Sequence, residues 1–205
     1  EQELARFSAA AGSTFTMLTG TRLAVTGETL LNGKLIGASG VFTAPAAPLT
    51  QSTSGAATFL VLGGSRLTVP VGTYRATAAY RENWDGARHH RELLRSSGNG
   101  SLLDFSAAEV IDAGYNDAST TANAYEIIVA DGGAIDFSNV TYITNPLRGE
   151  DCLRFVLSGG TIDLSALETI PRLLSAPGYT EFDIGPTSTL ALPALTTAGH
   201  VHFVL

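Results

Sequence analysis

The chain has one cysteine, one methionine, one tryptophan and a single lysine in 205 residues, and only 15% of its residues are charged. A lone Cys152 excludes an internal disulfide and a thiolate metal cage. No His or Asn stands near it in a nucleophile motif, so it reads as a small buried apolar residue. No apolar run reaches the ~18 residues that a membrane-spanning helix needs. Low charge combined with 44% hydrophobic residues excludes a disordered chain. There is no phosphate-binding loop, dinucleotide fingerprint, nucleophile elbow or metalloprotease helix. The chain opens on Glu1 without a signal peptide, and is read as a processed protein or an excised piece.

What is abundant is glycine, 22 residues, together with threonine. Both favour short strands and many turns over helices. The net charge of −7 argues against nucleic acid as a partner, because phosphate binding needs a basic face. The charge is uneven: residues 1–100 carry nine basic and six acidic side chains, residues 101–205 three and thirteen.

Internal repetition sets the architecture. Gly100-Ser-Leu-Leu-Asp-Phe-Ser106, Gly133-Ala-Ile-Asp-Phe-Ser138 and Gly160-Thr-Ile-Asp-Leu-Ser165 share an apolar-Asp-apolar-Ser core. Degenerate copies begin at Thr21, Ser65 and Thr189. The Asp position falls at Ala24, Thr68, Asp104, Asp136, Asp163 and Ala191. A second strand precedes each core, beginning at Thr14, Thr58, Glu92, Glu126, Arg154 and Glu181, and Gly-rich corners such as Gly132-Gly133 and Gly159-Gly160 join the two. The alternation within each unit has strand period, not helical period. The expected fold is therefore all-β: a right-handed parallel β-helix, or solenoid, of about six rungs whose inward apolar columns form the core.

The variable spacing implies corner insertions at about 27–55 and 76–91, with a short polar one at 116–123. Residues 1–205 read as one solenoid domain. Residues 1–13 are a possible N-terminal cap, with 1–7 as a short amphipathic helix. The final His200–Leu205 reads as the opening strand of another rung, so an excerpt of a longer array, or an end-to-end pair, is expected.

Gly159-Gly-Thr-Ile-Asp-Leu-Ser-Ala-Leu-Glu-Thr-Ile170 resembles units of the long secreted β-solenoid repeat proteins of bacteria. The resemblance covers about 90–205 and, more loosely, 14–75. It implies an adhesin-like, extracellular or cell-surface protein whose partners are surface glycans or further repeats of the same chain. The Leu-x-x-Leu spacing also resembles receptor leucine-rich repeats, but their asparagine ladder is missing.

Three constellations could carry chemistry. Asp104, Asp136 and Asp163 should stack outward about 5 Å apart and repel one another. Ca²⁺ would relieve this and is the one admissible cofactor; water, or hydrogen bonds to Ser106, Ser138 and Ser165, would do so equally. The second insertion gathers Tyr80, Arg81, Trp84, Asp85, Arg88, His89 and His90. Aromatic and guanidinium groups on a loop suit sugar stacking or carboxylate recognition, and adjacent histidines on a strand face opposite ways, which makes them a poor metal pair. The alternative is a solvated loop packed over the wall. Third, Tyr115, Tyr125, Tyr142 and Tyr179 could line a sugar-binding face or pack at corners. No catalytic residue is assigned. The expected function is a non-enzymatic structural or adhesive segment that presents loops to glycans. A polysaccharide lyase or hydrolase built on the second insertion is the alternative.

Overall fold

A computed structural model describes residues 2–4, 7–9, 14–18, 22–25, 29–31, 34–38, 41–43, 49–51, 58–69, 71–76, 87–114, 121–175 and 177–205. These residues form strands and turns with no helix, and every strand pair is parallel. The chain is a parallel β-solenoid. Each rung contributes three short strands, one to each of three walls.

The first wall is an eight-stranded sheet: Gln2–Leu4, Arg22–Val25, Val41–Thr43, Arg66–Thr68, Leu102–Asp104, Ala134–Asp136, Thr161–Asp163 and Thr189–Ala191. The third wall is also eight strands deep: Thr14–Met17, Lys34–Ala38, Thr58–Leu62, Arg88–Ser97, Ala122–Ala130, Cys152–Ser158, Tyr179–Ile184 and Val201–Val204. The second strands form two ladders. One joins Phe7–Ala9, Thr29–Leu31 and Leu49–Gln51; the other joins Thr73–Arg75, Val110–Asp112, Tyr142–Thr144, Thr169–Ile170 and Thr197–Ala198.

The repeat positions stack in register. Ala24, Thr43, Thr68, Asp104, Asp136, Asp163 and Ala191 are successive partners along the first sheet. All six copies read from the sequence lie in this sheet. Two further strands, Gln2–Leu4 and Val41–Thr43, complete it. Of the helix expected over 1–7, residues 2–4 are strand instead: Gln2–Leu4 pairs with Leu23–Val25, and a ladder hydrogen-bonds the backbone to a neighbour, where a two-turn helix would leave most of its amides open. Within the stretch read as a first insertion, Thr29–Leu31, Lys34–Ala38, Val41–Thr43 and Leu49–Gln51 are strands of the stack.

Alternation decides which side chains point inward. Leu67, Leu103, Ile135 and Ile162 are buried along the first sheet, and Phe59, Leu94, Ile127, Phe155 and Phe182 along the third. Phe155, Phe182 and Phe203 stack at 4.8 and 5.3 Å. Each fully buried phenylalanine contributes about 2–3 kcal/mol by leaving water. Leu93, the extra residue of a bulge between Glu92 and Leu94, is buried as well.

Asn145 ties three rungs together at a corner. It is fully buried, donates from Nδ2 to the carbonyls of Pro171 and Gly199 at 3.2 Å each, and accepts from Thr180 Oγ1 at 2.7 Å. Tyr74 is the opposite case. It is buried against Phe105 and Phe137, and its hydroxyl has no hydrogen-bond partner among the described residues. Burial pushes this phenol well above the usual tyrosine range. An unpaired buried hydroxyl costs about 1–3 kcal/mol. Tyr74→Phe is therefore expected to raise the unfolding free energy by about 1 kcal/mol in denaturant titrations, and a loss of stability would show that the hydroxyl is satisfied.

Candidate functional site

The aspartate column turns out to be corner chemistry. Ser106, Ser138 and Ser165 backbone amides donate to Oδ1 of Asp104, Asp136 and Asp163 at 3.0, 2.9 and 2.9 Å. Ser106 Oγ adds a 2.6 Å bond to Asp104 Oδ1, and Thr68 Oγ1 reaches Asp104 Oδ2 at 3.2 Å. Each carboxylate thus closes the turn at the end of its own strand. Among the described residues no group of three or more His, Cys, Asp or Glu side chains could hold a metal ion.

Of the second insertion, Tyr80, Arg81, Trp84 and Asp85 lie outside the described residues. Arg88, His89 and His90 are strand, paired with Ala122, Asn123 and Ala124. Their strand extends the third wall, and its outward side carries the charge. His90 Nδ1 lies 2.7 Å from Glu126 Oε1. Glu92, Glu126, Arg154, Glu181 and His202 are successive register partners on adjacent strands.

Arg154 is the centre of this row. Its Nη1 donates to Glu126 Oε1 at 3.0 Å, its Nε to Glu181 Oε1 at 2.7 Å, and its Nη2 to Asp183 Oδ2 at 2.6 Å. One guanidinium in the middle rung therefore holds carboxylates from both neighbouring rungs. Glu92 is bound separately by Arg95, at 2.6 Å from Nη2.

Beside this row the floor of the wall is made of small side chains. Ala122, Ala124 and Cys152 are all buried on the outward side. Arg88 crosses that floor. It donates from Nη1 to the Tyr179 hydroxyl and, at 3.5 Å, to Cys152 Sγ, and from Nη2 to the Glu150 carbonyl at 3.1 Å. Its Cζ lies 5.4 Å from the Tyr179 ring centroid. The other side of Tyr179 meets histidines: His202 at 4.4 Å and His200 at 5.8 Å between centroids. Of the other tyrosines, Tyr125 is buried, Tyr142 is half-buried in the second ladder, and Tyr115 lies outside the described residues.

Burial pushes the Cys152 thiol up, opposed by Arg88, and burial likewise raises the Tyr179 phenol despite its bond to Arg88. The hydrogen bond from Arg148 holds Glu150 below the usual carboxylate range. Cys152 is thus inert at neutral pH. Iodoacetamide at pH 8 is expected to label it only in denaturant; labelling of the native chain at the rate of a free thiol would contradict its placement.

The raised groups also set a sign for alkaline stability. Cys152 and Tyr179 hold their protons more tightly folded than unfolded. Their contribution is whole below the ordinary thiol and phenol values and is lost as pH climbs through the raised ones. Thermal midpoints should hold level to about pH 8 and fall above it. A midpoint that rose between pH 9 and 11 would contradict the assignment.

Sequence reading reached Arg88, His90 and Tyr179 as separate suggestions, and missed Glu126, Arg154, Glu181 and Asp183 as a unit. A signal for them existed: Glu126, Arg154 and Glu181 each open the second-strand motif, and equal positions in stacked units become neighbours. No protein-family model matches the chain, and no curated protein or solved structure matches it.

Proposed function

We propose that this chain is a non-enzymatic structural and adhesive segment of an exported bacterial surface protein, a rigid solenoid that presents outer-wall and corner groups to glycans. The observation that carries the reading is Arg154: the most concentrated charge on the outer wall is spent on joining three rungs. The aspartate column is likewise spent on corners. Such devices lengthen and stiffen a stack rather than poise an acid and a base across a cleft. Phe203 continues the aromatic column on the Val201–Val204 strand and is half exposed.

A glycan array tests the presentation, and a product assay tests the alternative. The reading expects binding to at least one surface glycan, with no release of reducing ends or unsaturated products from neutral or acidic polysaccharides. Turnover that disappears in Asp85→Ala or Arg88→Ala would replace this reading with a carbohydrate-active enzyme.

A further inference from the structure

We propose that the Asn99-Gly100 corner is a self-acting modification site, at which the folded chain converts its own asparagine to aspartyl and isoaspartyl forms with loss of ammonia. The proposal is independent of the glycan-presenting function above.

The reaction needs an asparagine amide within reach of the next residue's backbone nitrogen, and that nitrogen must be free to give up its proton. The corner meets both needs. Ser101 N–H donates to the Gly98 carbonyl at 3.0 Å and closes a turn around Asn99 and Gly100. Ser101 Oγ anchors this turn, donating to the Ser97 carbonyl at 2.8 Å and accepting from the Gly64 amide at 3.0 Å. The two residues at its tip are exposed. Among the described residues neither the Asn99 side chain nor the Gly100 N–H makes a hydrogen bond. Gly100, at φ +80°, brings no Cβ to hinder the approach.

The other described asparagines lack this combination. Asn145 precedes Pro146, which has no N–H. Asn139 precedes Val140, whose N–H donates to the Phe137 carbonyl at 2.9 Å, and its own amide donates to the Ser106 carbonyl at 2.7 Å. Asn123 is buried within a paired strand. The next rung's corner carries Asp131-Gly132, but there the Gly132 N–H donates to the Gly159 carbonyl and Ser97 Oγ holds the carboxylate at 3.0 Å.

The step balances with water as the only co-reactant. The Gly100 nitrogen, its proton lost to solvent, bonds to Asn99 Cγ. The Cγ–Nδ2 bond breaks, and ammonia leaves with a proton returned by solvent. Water then opens the cyclic imide at either carbonyl. Opening at Cγ restores the backbone and leaves aspartate. Opening at the Asn99 main-chain carbonyl leaves an isoaspartyl link, which adds a methylene to the main chain. Either product adds a negative charge to the corner. The change falls where backbones are close, since a Cβ on Gly132 would lie 3.4 Å from Asn99 Cα.

The test is a peptide map of the whole folded chain incubated at 37 °C and pH 8, beside a sample in urea. Asn99 in the folded chain is expected to convert about tenfold or more faster than Asn123, Asn139 and Asn145, because reach and orientation dominate the rate. Its rate should stay within about tenfold of that in urea, where orientation is lost. An isoaspartyl-specific methylation assay should mark the same peptide. Asn99→Gln, whose longer side chain closes the larger ring poorly, should abolish the conversion there; the side chain is exposed at a turn tip, so the variant keeps the fold. Asn32, also followed by glycine, lies outside the described residues and is read from its own peptide. Conversion at Asn99 in urea alone would overturn the proposal, because the corner would then protect the amide. So would a folded-chain rate equal to that of Asn139, or an Asn99 peptide left unconverted in both samples.

Discussion

Gly133→Ala is expected to lower the unfolding free energy by about 3–4 kcal/mol, with a fall of about 10 °C in the thermal midpoint. The reason is space, not φ. Gly64, Gly100, Gly132 and Gly159 occupy one corner column with φ near +80°, the left-handed region that glycine enters freely. Gly133 follows that position, and a Cβ on it would sit 2.4 Å from the Ser96 carbonyl oxygen of the preceding rung. Backbone cannot swing aside as a side-chain tip can, so the rungs must part. Gly160 repeats the arrangement, its Cβ falling 2.6 Å from the Gly133 oxygen. Gly72 is the control: nothing lies within 4 Å of its Cβ position. Gly72→Ala should be neutral or stabilise by a few tenths of a kcal/mol through the unfolded chain. Equal effects at Gly133 and Gly72 in parallel urea titrations would mean that the rungs do not approach as described.

Arg154→Met should cost about 2–3 kcal/mol. Removing one partner of a buried ion pair costs about 3–5 kcal/mol, and these carboxylates, 10–31% exposed, keep part of their water, which reduces the figure. The mechanism has its own signature. Three carboxylates stripped of their shared cation repel, so the deficit should shrink in 1 M salt, where the Debye length is about 3 Å. Adding Glu181→Gln to Arg154→Met should recover part of the loss. A deficit indifferent to both salt and Glu181→Gln would show that Arg154 acts only through packing of its stem.

Much of this fold is legible in the order of residues. The apolar-Asp-apolar-Ser cores and glycine pairs recur because each rung must close its corner in the same way, and a local need leaves a local mark. That is why Asp104, Asp136 and Asp163 were readable as one column, and why their bonds to Ser106, Ser138 and Ser165 were among the expectations. The rung at Val41–Thr43 left no such mark. It keeps the strand alternation but has neither the aspartate nor the glycine pair, so it read as part of an insertion. Glu1–Phe7 misled for a different reason: Leu4 and Phe7 fit a helical stripe, but pairing with Leu23–Val25 satisfies the backbone at once.

The site is less legible than the fold because it is made of contacts between rungs. Arg88 and Tyr179 are 91 residues apart and meet only when four rungs are stacked. Arg154 finds Glu126 and Glu181 only when the register is known to the residue. The insertion at 76–91 drew attention through its composition, but composition records which groups are present and not which wall they lie against. The buried Asn145, with no motif around it, was invisible until Pro171 and Gly199 came within reach.

Stacking in register is the claim from which the rest follows, and a distance measurement tests it most directly. In a Cys152→Ala background, spin labels on Thr68→Cys and Ala191→Cys would mark the same position four rungs apart. At about 4.8 Å per rung, the account predicts backbone positions about 19 Å apart and a single narrow distribution by electron–electron resonance. A broad distribution, or a separation beyond about 30 Å, would mean that the repeats do not lie one over another.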